Sequence, residues 1–357
     1  MRKILFIVLF SIFVFIILKS DPIAPTLTGD ELITYLVDNY KPAYTLGYNT
    51  ARDTLYGVID KHNDSLTGIY SGYTIYMQPG QDPSTWAYNN GIDCEHVWPK
   101  SMGAGYEPAK SNMHHLFPCK SNVNSSRGND PFGECVDSLT DRWYRLDSTS
   151  YTIPTSYIDQ WAEKDNDADL FEPRESVKGD IARCMFYFYT MYKQEFLDTT
   201  AGTPDTLFFE LQKETLRGWN YNDPPDSIEV ERTWKIANYQ DNKPNPFVLD
   251  YTLVDRAYFP NAGIDKWHIK NNCSDKSIFV TSGNIHFSFY STHTGRANIR
   301  IYSLSGREID NIYKTINNKG QHYINYRVSG KLKNGVYYYI LDMNSNNIQL
   351  GKIIYVK

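Results

Sequence analysis

Apolar positions recur at helical spacing in the first part of the chain. Leu32, Ile33, Leu36 and Val37 predict a short helix over Asp30 to Tyr40. A second helix, capped by Asn49, would bury Leu55, Val58 and Ile59. Ile69 to Met77 is rich in β-branched and aromatic residues and predicts a strand, broken afterwards by Pro79, Gly80 and Pro83. The strongest helical pattern runs from Val177 to Tyr192, with Ile181, Met185, Phe188 and Tyr189 on one face. Asp205 to Leu216 predicts another helix, and 222–226 and 241–247 predict loops.

After about residue 270 the period changes to two. Strands are predicted at Ile285–Phe289, Ala297–Leu304, Gln321–Val328, Gly335–Met343 and Gln349–Val356, with no helical signal between them. The expected fold class is α+β. A mainly helical unit at 21–270 precedes a small all-β sandwich at 275–357.

The chain begins Met1-Arg2-Lys3, followed by an almost purely apolar run from Ile4 to Leu18. A basic start and a short apolar run predict a secretory signal peptide over residues 1–20, with a retained anchor as the alternative. No other segment is apolar enough to suggest stable membrane insertion. Export permits disulfides among Cys94, Cys119, Cys135, Cys184 and Cys273. Cys94–Cys119 and Cys119–Cys135 both remain open, and the odd count leaves one thiol over.

Charge divides the chain. Residues 21–270 carry 22 Lys and Arg against 37 Asp and Glu, a balance of -15, whereas 271–357 carry 11 against 4, a balance of +7. The larger part therefore lacks a broad basic surface, so a polyanion bound there needs a local basic patch or a metal ion. Lys100, Lys110, Lys120, Arg127 and Arg183 are the basic residues nearest the chemistry-bearing stretch.

That stretch spans 93–135 and is dense in Cys, His, Asn and Gly. Glu95-His96-Val97-Trp98-Pro99 and His115-Leu116-Phe117-Pro118 predict two short strands joined by a loop, and the segment from Ser121 can turn into a helix. Neighbouring strand residues face opposite ways, so Glu95 and His96 would need a bend or bulge to cooperate on one face. Asn124 and Arg127 lie three apart, on one side of the helix. A carboxylate from Glu95 and an amide oxygen from Asn124 would suit Mg²⁺, and a neutral His96 could activate water. Together these parts suit metal-assisted phosphodiester hydrolysis.

The blocks Glu95-His96-Val97-Trp98-Pro99, His114-His115-Leu116-Phe117-Pro118 and Asn124-Ser125-Ser126-Arg127-Gly128-Asn129-Asp130-Pro131-Phe132-Gly133 resemble the endonuclease I family. These are secreted bacterial nucleases with a His-Me finger, or ββα-metal, site. Weaker echoes occur at Ala51-Arg52-Asp53-Thr54-Leu55-Tyr56, Gly179-Asp180-Ile181-Ala182-Arg183 and Asn245-Pro246-Phe247. The resemblance implies that His96 is the general base and that Glu95 and Asn124 hold one divalent ion, Mg²⁺ or else Ca²⁺ or Mn²⁺. It implies broad cleavage of DNA, and of RNA as well, leaving 5′-phosphate ends. Arg127 would contact the scissile phosphate or brace its helix, and Arg183 has the same two readings. His114 and His115 are expected to be structural. Asn112-Met113 stands where many members have Asp-Leu, which leaves the support of His114 open. An unperturbed His96 would lose activity below about pH 6.5.

The tail, with Gly295-Arg296-Ala297-Asn298-Ile299, Leu332-Lys333-Asn334-Gly335-Val336-Tyr337 and Gly351-Lys352-Ile353-Ile354-Tyr355, resembles C-terminal sorting domains of the type IX secretion system. It implies the secretion machinery as a partner and a secreted or cell-surface protein. An accessory binding module is the alternative for the tail. For the whole chain the alternative is a catalytically inactive, nuclease-like surface-binding protein.

Overall fold

The computed structural model describes residues 22–198, 206–260, 277–280, 284–291, 294–303, 307–328, 332, 335–343 and 346–355. The predicted signal peptide, Cys273 and the Ser305-Gly306 turn lie outside the described residues. No helix among the described residues is long and apolar enough to cross a membrane.

Helix α1 (Gly29–Tyr40) places Asp30 and Glu31 in its first turn, where they complement the N-terminal partial charge. It buries Leu32 and Leu36 and stops at Lys41, the residue before Pro42. Helix α2 (Tyr48–Thr54) runs into a wide turn at Leu55–Ile59, closed by Asp60 N–H on the Leu55 carbonyl at 2.7 Å. Gly47, not Asn49, occupies its N-cap, and the wide turn leaves Val58 55% exposed while Leu55 and Ile59 stay buried.

Strands β1 (Lys61–His62), β2 (Ser65–Thr67) and β3 (Thr74–Tyr76) form a small antiparallel sheet. The expected strand from Ile69 to Met77 is mostly absent, because the chain turns at Gly72 with φ +72°. Ile69 N–H donates to the Pro118 carbonyl at 2.8 Å, and a side chain at Gly68 would meet the Lys120 nitrogen at 3.0 Å. That close approach lays Tyr70 beside the strands that follow.

After α3 (Pro83–Asn89), β4 (Ile92–His96) pairs antiparallel with β5 (Leu116–Lys120), and α4 (Ser121–Arg127) follows directly. Two strands, a long intervening loop and a helix thus form one unit. The loop is backed by α5 (Lys178–Asp198), where Trp98 stacks on Phe188 with centroids 5.2 Å apart. Ile181, Met185, Phe188 and Tyr189 are all buried there, as their spacing predicts. Between α4 and α5 lies a sheet of β6 (Arg142–Arg145), β7 (Ser148–Ser150), β8 (Ala162–Asp165) and β9 (Leu170–Glu172), in the order β7-β6-β8-β9. Helices α6 (Thr206–Asn222), α7 (Ser227–Ala237), α8 (Pro246–Leu249) and α9 (Leu253–Tyr258) complete the mixed helix-and-sheet part.

Beyond 276 every described element is a strand: β10 (Ser277–Val280), β11 (Asn284–Ser291), β12 (Gly295–Ser303), β13 (Glu308–Ile316), β14 (Gly320–Arg327), β15 (Gly335–Met343) and β16 (Asn346–Tyr355). They pair as β10-β16-β15-β12-β13 and as β11-β14, and Phe287, Ile299, Ile324, Tyr339 and Leu341 share one core. Strand β13 escapes the sequence pattern because it is a sheet edge and buries only Ile316.

Candidate active site

The last two residues of β4 point to opposite faces, and its register with β5 is unshifted through His96↔Leu116. The expected bulge is therefore absent. Glu95 and His96 instead flank the end of the strand, one on each side.

Glu95 is 2% exposed. Its Oε1 accepts a 2.7 Å hydrogen bond from the Tyr70 hydroxyl and lies 3.3 Å from Arg127 Nη1. Burial pushes its carboxyl pKa up, while Arg127 and the Tyr70 bond pull it back. Tyr70 is itself fully buried, packed on Phe171 at 4.9 Å, so the carboxylate is held by a rigid partner.

His96 is 5% exposed, with its ring 5.3 Å from Tyr48 on one contact and 5.3 Å from His115 on another. Its Nε2 lies 3.1 Å from the Lys110 carbonyl oxygen. A carbonyl can only accept, so in the neutral ring Nε2 carries the hydrogen and Nδ1 keeps a lone pair. Burial, reinforced by Lys100, Lys110 and Arg127, drives the imidazole pKa down to about 3. The expected loss of base function near pH 6.5 is thus corrected: His96 stays neutral well below it. His115 repeats the arrangement, its Nε2 2.8 Å from the Ala109 carbonyl. Two successive carbonyls of the turn Ala109–Ser111 therefore orient both rings.

His114 is held by the Lys243 carbonyl at 2.9 Å, and its backbone N–H donates to Asn112 Oδ1 at 3.0 Å. Asn112 in turn donates to the Tyr187 and Tyr192 hydroxyls, at 3.0 and 2.8 Å. The Asn112-Met113 departure therefore keeps a fully bonded support for His114.

On α4, Asn124 is half-buried, and its side chain makes no hydrogen bond to a described residue. Arg127, one turn on, is fully buried. It donates to the Val97 carbonyl at 2.8 Å and to the His96 carbonyl at 3.3 Å, besides its ion pair with Glu95. Of the two readings for Arg127, this geometry favours the brace over the phosphate contact. Arg183 likewise ends in a buried pair with Glu229, 2.6 Å from Oε2.

The donor chemistry of Glu95 and Asn124 is that of a hard divalent ion's ligands: one carboxylate, and one amide without a hydrogen bond to a described residue, both offering oxygen. Other acidic groupings among the described residues, Cys135 with Glu163 and Glu172 and Glu134 with Glu172 and Glu175, surround Lys178. Its ammonium already sits 2.7 Å from Glu172 and 2.6 Å from Glu175.

Neither disulfide pairing is present, since Cys94, Cys119 and Cys135 are all free thiols. The register explains the first: Cys119 lies opposite Asp93 and Cys94 opposite Pro118, so the two thiols leave the hairpin on opposite faces. Sequence reasoning missed three contributors, Tyr48, Tyr70 and the Lys110 carbonyl. Tyr48 precedes the Ala51-Arg52 echo and could have been suspected, but a backbone carbonyl leaves no residue-type signal.

The sequence matches the family model for Endonuclease I over residues 28–251. The chain belongs to the endonuclease I family. An extracellular ribonuclease of Bacillus subtilis (strain 168) is 34% identical over 172 residues, 43% of this chain and 49% of that protein. One from Bacillus amyloliquefaciens is 33% identical over 171 residues, with the same coverage of 43% and 49%. The chain thus spans about half the length of the curated relatives it matches. Among solved structures, an uncharacterized protein from Bacillus anthracis str. Ames aligns with 13% identity, 26% of this chain, 98% of that chain and a TM-score of 0.21, too slight a likeness to bear on the fold. Within the endonuclease I match lie Glu95, His96, Asn124 and Arg127, together with Tyr48, Tyr70 and Lys110.

Proposed function

We propose that the protein is a secreted, divalent-metal-dependent endonuclease of broad specificity that hydrolyses the phosphodiester bonds of DNA and RNA. The observation that carries this reading is His96: a neutral imidazole with Nε2–H tied to the Lys110 carbonyl, at the end of a strand whose other face carries the buried Glu95 carboxylate, in a family of endonucleases. His96 Nδ1 takes the proton of the attacking water, and the Lys110 carbonyl keeps the ring in the tautomer that can do so. The same carbonyl stabilises the imidazolium that results. Glu95 Oε2 and the Asn124 amide oxygen would hold the ion, with Tyr70 and Arg127 fixing Glu95 through its other oxygen. When bound, the ion neutralises charge on the scissile phosphate and on the departing oxygen.

RNA stands beside DNA because both matched relatives are described as extracellular ribonucleases. The same relatives, with the basic apolar start of the chain, support secretion. Residues 275–357 serve, on this reading, as a type IX sorting module that engages the secretion machinery, and 21–270 as the nuclease domain.

The metal assignment has a direct test. EDTA abolishes cutting, and Mg²⁺ restores it. Asn124→Ala raises the half-saturating Mg²⁺ concentration by about tenfold or more, the scale seen when the surroundings of a bound metal are disturbed. An unchanged metal requirement in that variant would remove Asn124 from the site.

A further inference from the structure

We propose that Arg52 and Lys110, both set against the ring of Tyr48, form a subsite for a backbone phosphate of the substrate next to the one attacked. This rests on the nuclease reading above. Arg52 Cζ lies 4.7 Å from the Tyr48 ring centroid, and Lys110 Nζ lies 5.1 Å from it. That ring packs on the imidazole of His96 at 5.3 Å, so both cations stand one aromatic ring away from the base.

Among the described residues, neither cation has a carboxylate at ion-pair distance. The only hydrogen bond of the Arg52 side chain to a described residue is from Nη2 to Asn49 Oδ1, at 3.0 Å, and its Nε is buried without a partner. Lys110 makes no ion pair with a described residue. Asp82 and Asp93 are within electrostatic reach of Arg52 and Tyr48, but neither is at ion-pair distance from the two cations. Most other arginines of the same part of the chain are paired, although Arg142, Arg145 and Arg174 likewise make no ion pair with a described residue. Arg127, Arg183, Arg217, Arg232 and Arg256 are each paired with a carboxylate.

Residues 21–270 hold 37 acidic against 22 basic residues, so unpaired cations beside the base are not a consequence of scarce acids. Two like charges on one ring repel each other, and an anion between them relieves that repulsion. The tyrosine ring attracts both cations and holds each of them near His96. A guanidinium with a free Nη1 offers parallel N–H donors that match phosphate oxygens. Lys100 is exposed, and its charge also reaches His96. A strongly acidic domain thereby gains phosphate affinity only where cutting occurs.

The test measures binding of a fluorescein-labelled DNA duplex by anisotropy in a His96→Ala background, over a series of salt concentrations. Arg52→Gln and Lys110→Gln should each weaken binding by roughly fivefold and lower the slope of log affinity against log salt by about 0.9, the value for one lost phosphate contact. Arg52→Lys, which keeps the charge, should retain the slope, and Lys110→Gln keeps the backbone carbonyl that holds His96. In the otherwise wild-type enzyme, both Gln variants should raise KM by more than they lower kcat. An unchanged salt slope in both Gln variants overturns the subsite while leaving the nuclease reading intact. So does a fall in kcat at constant KM, which would mean that the cations act through His96. Absence of any cutting by the wild-type chain overturns the nuclease reading itself.

Discussion

His96→Ala lowers the cleavage rate by about 10²- to 10⁴-fold at neutral pH, the range that a positioned general base supplies. The loss is chemical rather than structural, because the Lys110 carbonyl and the neighbouring His115 are held independently by the Ala109–Ser111 turn. The pH profile separates this base from an ordinary histidine. Burial brings the His96 pKa down to about 3, so the wild-type rate shows no histidine inflection near pH 6.5. Glu95 behaves in the opposite sense: its raised pKa means it takes up a proton earlier than a free carboxylate as pH falls, and a protonated Glu95 cannot hold a metal. The acid limb therefore belongs to Glu95 and moves to lower pH as Mg²⁺ is raised. Single-turnover rates from about pH 5 to about pH 8 at several Mg²⁺ concentrations check this. An acid limb that stays near pH 6.5 at every Mg²⁺ concentration would assign it to His96 after all.

Arg127→Met is the most destabilising single change expected at the site. The guanidinium is fully buried, pairs with Glu95 at 3.3 Å and supports the carbonyls of Val97 and His96. Methionine nearly fills the volume but leaves a buried carboxylate without its cation, which costs about 3–5 kcal/mol. For a domain of this size that corresponds to a fall in Tm of roughly 10 °C. Glu95→Gln combined with Arg127→Met should recover part of the loss, since no charge is then left unpaired. Thermal unfolding of the two single variants and the double variant measures the coupling. A Tm within about 2 °C of wild type for Arg127→Met would mean that the pair contributes little.

The order strand, loop, strand, helix was legible because two apolar segments flank a polar loop and a polar run follows at Ser121, although β5 runs through Pro118 to Lys120 instead of ending at that proline. The long helix was legible because one face of Val177 to Tyr192 is continuously apolar. What failed has physical causes. Ile69–Met77 has the composition of a strand, but Gly68 and Gly72 let the chain turn, and that turn delivers Tyr70 to Glu95. Of the two pairings left open, Cys94–Cys119 is ruled out by a one-residue offset in register, which no composition reveals. The pH expectation is altered because the depth at which His96 is buried, and the carbonyl that fixes its tautomer, both belong to the tertiary structure.

The account is tested most directly by digesting plasmid DNA and RNA with residues 21–357, with Mg²⁺ and with EDTA, beside the His96→Ala variant. The expected result is Mg²⁺-dependent cutting of both nucleic acids that disappears with EDTA and falls at least a hundredfold in the variant, about the lower end of what a lost general base costs. Full cutting by His96→Ala would contradict the assignment of the base, and no cutting by the wild-type chain with any divalent ion would contradict the nuclease itself.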